Sequence, residues 1–135
     1  MKKILSIILA AALLISLSAP VFAEDRLPTK WDLTVIYPSA EEWQKDYDKV
    51  MDMLNEYERF RGTLNNAQGI WDYLQFAYFT ELTRLQNKLV EYAFLGSSLD
   101  ATDPVFAEMN ARLSTMNARE GQLTAFAIPE IYSLP

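Results

Sequence analysis

Asp48, Asp52 and Glu56 recur every fourth residue, so on a helix three carboxylates would line one side. Such a row offers oxygen ligands to a hard divalent cation, but that cation takes about six to eight converging oxygens and a straight row does not converge. Lys45, Lys49 and Arg59 stand three and four residues from these acids, which makes the row a solvated, ion-paired face. Asp100, Thr102 and Asp103 have the look of a calcium loop's opening. Its required sixth-place glycine is Val105 and its twelfth-place glutamate is Ala111, so helix capping by Asp103 is the better account. Ser97, in Gly96-Ser97-Ser98, lacks the G-x-S-x-G turn and has no base beside it. Cysteine and histidine are both absent. Thiolate chemistry is therefore excluded, and so is a zinc centre of the HExxH type, which needs two imidazoles one helical turn apart. The sequence singles out no catalytic residue, no metal ligand and no substrate-binding residue.

Aromatic side chains are the class that stands out: three tryptophans, seven tyrosines and seven phenylalanines. Trp71, Tyr73, Phe76, Tyr78, Phe79, Tyr92 and Phe94 crowd one middle segment. Core packing accounts for most of them; a peptide- or partner-binding surface is the reading left for the rest. Three helices cannot enclose the middle one, so an exposed apolar patch is expected on the middle and third helices.

The elements that carry these residues follow from spacing and caps. Ile36-Tyr37-Pro38 is extended, because a residue before proline is pushed out of the helical region. Ser39 then reads as an N-cap with Glu42 as its reciprocal partner. Trp43, Tyr47, Val50, Leu54 and Tyr57 follow at alternating steps of four and three, which predicts a helix over 40–61 stopped by Gly62. A second helix is expected over 68–96. Asp103 as N-cap and Pro104 at the first helical position open a third over 104–127. The fold class is all-α, with three long antiparallel helices in residues 39–135 after an extended segment, 24–38. Trp31, Leu33, Ile36 and Tyr37 should lie in a groove of those helices. Trp31, Tyr37, Ser39, Glu42, Trp43, Tyr47, Asp103 and Pro104 are the structural anchors.

Residues 1–23 have the form of a secretory signal peptide: Lys2 and Lys3, an apolar run from Ile4 to Leu17, and Val21-Phe22-Ala23 as the cleavage site, with cutting between Ala23 and Glu24. The run is short for a membrane span and Pro20 breaks it, so no stable membrane anchor is expected after cleavage. Removing 23 of 135 residues leaves 112, with 10 basic and 18 acidic side chains and a net charge of −8. Without a basic run, nucleic acid is not an expected partner. The location implied is secreted, periplasmic or otherwise extracytoplasmic.

The stretch W-D-L-T-V-I-Y-P-S at 31–39, followed by E-E-W-Q-K-D-Y at 41–47, resembles the opening of the oligoendopeptidase F family of zinc metallopeptidases. The resemblance continues through Phe60-Arg61-Gly62-Thr63-Leu64, Asp100-Ala101-Thr102-Asp103-Pro104 and Ile128-Pro129-Glu130-Ile131. It implies the amino-terminal helical region of a longer peptidase, truncated before the HExxH catalytic domain, whose parent hydrolyses short peptides with zinc-activated water. None of the family's metal ligands, nor its base, maps onto this chain. The resemblance thus implies a region that is not catalytic alone, has no cofactor of its own, and walls the substrate channel of the parent. Its expected partners are the missing catalytic half, on the same or a separate chain, and the parent's peptide substrate. The leader and Leu95-Gly96-Ser97-Ser98 depart from the family pattern. The alternative is a free-standing secreted helical peptide- or protein-binding module.

Overall fold

Apolar residues three and four apart wind this chain into three rods, and each rod bends along its length. The computed structural model describes residues 31–134. The expected leader, with its cleavage pair Ala23 and Glu24, lies outside the described residues, as does the lead-in up to residue 30.

The first rod is α1 (Ala40–Met53) continued by a 3-10 stretch, Leu54–Phe60. Leu54, Tyr57 and Phe60 are spaced by three, and side chains three apart eclipse in a 3-10 helix, so the tighter winding keeps all of them in the core. Arg61 is extended and Gly62 takes the left-handed conformation at φ +80°, which ends the rod where glycine was expected to. The second rod is α2 (Ala67–Phe79) followed by α3 (Glu81–Leu99), and the third is α4 (Pro104–Thr124) followed by the short α5 (Ala127–Tyr132).

Cross-rod hydrogen bonds give the directions. Trp43 Nε1 donates to the Leu89 carbonyl and Lys49 to Glu81, so the first two rods run antiparallel. Tyr47 donates to the Arg112 carbonyl, Tyr57 to Glu120, and the Gly62 amide to Glu130, so the first and third rods run parallel. The architecture is all-α and up-down-up, with no strand among the described residues.

Five expectations need correction. The segment before the first helix is not extended throughout: Asp32 accepts from the Thr34 amide at 3.0 Å and the Thr34 hydroxyl at 2.6 Å, and folds Leu33–Val35 into a 3-10 turn. That turn takes Tyr37 to 1% exposure and leaves Trp31, ahead of it, 61% exposed instead of in a groove. The helix expected over 68–96 is two helices, because Thr80 is extended at φ −109°, ψ 177°. The third helix stops at Thr124, and Pro129 sits inside the first turn of α5, where no amide is needed for an intrahelical bond. Glu42 does not close a reciprocal cap: Ser39 accepts from the Glu42 amide at 3.4 Å, while the Glu42 carboxylate turns to Lys45. Glu41 is the acid whose carboxyl meets the Ser39 side chain, and that bond lowers its pKa.

The core lies between the three rods. Trp43, Val50 and Leu54 meet Leu82, Leu89 and Ala93 of α3 and Met109, Leu113 and Met116 of α4. No polar or charged residue is fully buried among the described residues. Gly96 lets α3 and α4 close: a Cβ there would lie 2.0 Å from a Phe106 ring carbon.

Candidate functional site

The break between α2 and α3 is where the aromatic load reaches the surface. No glycine or proline causes it. Thr80 donates its hydroxyl to the Phe76 carbonyl at 2.8 Å and Thr83 donates to the Ala77 carbonyl at 2.8 Å. Two threonine side chains thereby satisfy carbonyls that a continuous helix would have bonded to amides. Backbone polarity is cared for, and the chain can turn. The turn throws Tyr78 and Phe79 outward, 63% and 74% exposed.

Two hollows flank them. One, an open cleft of about 640 Å³, is lined by Tyr78, Phe79, Thr80, Glu81, Thr83, Arg84 and Asn87. The other, about 470 Å³, lies between the 3-10 stretch and α2, with Arg59, Phe60, Gln75, Phe76 and Phe79 in its wall. Phe79 stands between them. In the second hollow the Arg59 guanidinium lies over the rings of Phe60 and Phe76 at 4.7 and 4.9 Å and is held by Glu56 at 3.1 Å.

Beneath Tyr78, on the α4 side, Glu120 accepts from Tyr57 at 2.9 Å and from Gln86 at 2.8 Å. Burial pushes the Tyr57 phenol far above its ordinary value, and the Glu120 charge adds to the rise. Glu120 interrupts the apolar stripe of α4 in the sequence, and this network is the reason. A second phenol, Tyr37, donates to Asp46 at 2.8 Å, with Lys88 3.7 Å from its ring and 3.4 Å from the same carboxylate. Burial first, and Asp46 second, raise the Tyr37 pKa. These are packing networks. No nucleophile faces a base in either.

The residues expected from the sequence are distributed as follows. Trp43 is fully buried, stacks on Tyr47 at 5.4 Å, and both donate across to other rods. Asp103 accepts from the Val105 amide at 2.8 Å, ahead of Pro104. Asp48, Asp52 and Glu56 are exposed; Asp48 accepts from Gln44 and Glu56 from Arg59. The 3-10 winding also turns by about 120° per residue, which carries Glu56 off the row. Asp100 accepts from the Thr102 amide and hydroxyl. Ser97 donates to the Ala93 carbonyl and accepts from Asn110, so its oxygen serves helix contacts. Sequence reasoning missed Thr80 and Glu130, whose carboxylate accepts from the Gly62 and Leu64 amides at 2.8 and 3.3 Å.

A zinc site of the peptidase type does not fit this chain. It has no imidazole or thiolate to offer, and no group of three or more His, Cys, Asp or Glu residues that could hold a metal occurs among the described residues. Nor is any helix among them long and apolar enough to cross a membrane.

Fold and surface together define an all-α bundle with aromatic side chains on its outer side. The chain is similar to Oligopeptidase PepF of Bacillus subtilis (strain 168), at 24% identity over 116 residues, covering 85% of this chain and 17% of that protein. It is also similar to Group B oligopeptidase PepB of Streptococcus agalactiae serotype III (strain NEM316), at 23% identity over 106 residues, covering 78% of this chain and 17% of that protein. The chain therefore spans about 17% of the length of the curated relatives it matches. No family model and no solved structure matches it.

Proposed function

We propose that this chain is the non-catalytic helical region of a secreted oligoendopeptidase F-like zinc metallopeptidase and works together with a catalytic part carried elsewhere, on the same or a separate chain. The observation that carries this reading is the similarity to two oligopeptidases over most of the chain, against a small share of their length. The donor chemistry supports it: the chain has no imidazole for a zinc of the HExxH type, so hydrolysis of short peptides belongs to the other part, which would supply the metal-activated water. The leader-like residues 1–23 support export.

Purification of the tagged mature chain from its own host, with mass-spectrometric identification of what accompanies it, tests the proposal. A stoichiometric partner bearing HExxH is the expected result; a chain that stays alone, with no HExxH reading frame continuing its gene, overturns it. The exposed Tyr78 and Phe79 favour one other reading, a free-standing peptide- or protein-binding module. In that case a peptide would bind the isolated chain with an affinity that Phe79→Ala weakens.

A further inference from the structure

We infer that the outer side of α2 and α3 is a permanent interface with the catalytic part, an inference that deepens the proposed function and rests on it. Charge on the exposed side of α3 gathers toward the edge that faces α1. At about 100° per residue, Glu81, Arg84, Lys88 and Glu91 share one edge. That edge is bound to α1: Lys49 meets Glu81 at 2.9 Å, and Lys88 meets Asp46 at 3.4 Å. Asn87, Val90 and Phe94 share the neighbouring exposed edge and are uncharged, with Arg84 and Glu91 along its margin.

Across the break the pattern continues. Trp71, Gln75 and Tyr78 form one uncharged stripe of α2, and Tyr78 and Asn87 line the same cleft, with Glu81 and Arg84 at its rim. Trp71, Tyr78 and Phe94 are 55%, 63% and 63% exposed. An outward strip with aromatics and amides along its middle and charge only at its margin is poorly suited to permanent contact with water. It has the composition of an obligate interface core, where charge is depleted and aromatics are enriched. Transient partners meet more polar surfaces. The occupant is therefore the large remainder of the peptidase, since this chain matches only 17% of its relatives' length. Its facing surface should be apolar and uncharged, with amide or hydroxyl groups opposite Gln75 and Asn87.

The test co-expresses the tagged mature chain in its own host with the HExxH-bearing part that the tagged purification recovers, and measures association by sedimentation. Tyr78→Asp and Phe94→Asp are compared with Tyr132→Asp, which alters an 83% exposed residue on α5. The two strip variants should bind at least about tenfold more weakly while melting like the unaltered chain, and the α5 variant should bind normally. Strip variants that bind as tightly as the unaltered chain would overturn the interface and leave the proposed function standing. An unaltered chain that brings down no HExxH-bearing part, with no HExxH reading frame continuing its gene, would overturn the proposed function, and the interface with it.

Discussion

Trp43 illustrates how much one side chain does here: it is fully buried, stacks on Tyr47 and donates its indole hydrogen to Leu89 across the rods. Trp43→Ala should cost about 3–5 kcal/mol, and Trp43→Phe, which keeps most of the volume, far less; urea denaturation measures both. The buried phenols make a pH prediction. Tyr37, Tyr47, Tyr57, Tyr73 and Tyr92 all have raised pKa values, chiefly because burial penalises the phenolate. Above about pH 10 the unfolded chain loses protons that the folded chain keeps, so ΔG of unfolding falls with a slope of up to about 1.4 kcal/mol per pH unit for each phenol. Below that pH the contribution is complete. Denaturation midpoints followed from pH 8 to 11 (a range of roughly neutral to tyrosinate conditions) should be flat and then drop. Tyr57→Phe should make the drop shallower. Trp43 and Tyr47 were legible from their spacing alone. Asp46 and Glu130 were not, because their partners Lys88 and Gly62 stand 42 and 68 residues away.

At the scale of elements, the caps were legible and the bends were not. Ser39, Gly62, Asp103 and Pro104 carry local rules, whereas the Phe79-Thr80-Glu81 break carries none: it exists because two threonine hydroxyls can replace amides and because α2 and α3 pack on different neighbours. The 3-10 winding of Leu54–Phe60 was hidden for a related reason, since a spacing of three fits either helix until its partners are known. Gly96 tests the tightest seam. Alanine there gains about 0.8–1 kcal/mol of helix propensity but drives a Cβ into the Phe106 ring, so Gly96→Ala should lower stability by a net ~1–2 kcal/mol. Adding Phe106→Leu should recover part of the loss, as read by thermal melting.

For the whole molecule, the three-rod order and an exposed apolar patch on the middle and third helices follow from the sequence, while the particular aromatics that form it needed the structure. Its exposed members are concentrated on α2, α3 and α5, so the isolated mature chain should bind a hydrophobic dye and self-associate as its concentration rises. Dye fluorescence equal to that of a well-packed monomer would contradict the proposed partnership. With zinc added, the same preparation should show no peptide hydrolysis above background in a fluorogenic assay, for want of imidazole. Fused ahead of a reporter enzyme, residues 1–30 should direct export, with amino-terminal sequencing beginning at Glu24.

The Glu130 carboxylate grips the Gly62 and Leu64 amides from the far end of the chain. A surface turn with a left-handed residue would ordinarily trade its amide hydrogens with solvent freely. Here those two should exchange for deuterium only as often as α5 lifts away, so they serve as a clock for the loosening of the last rod.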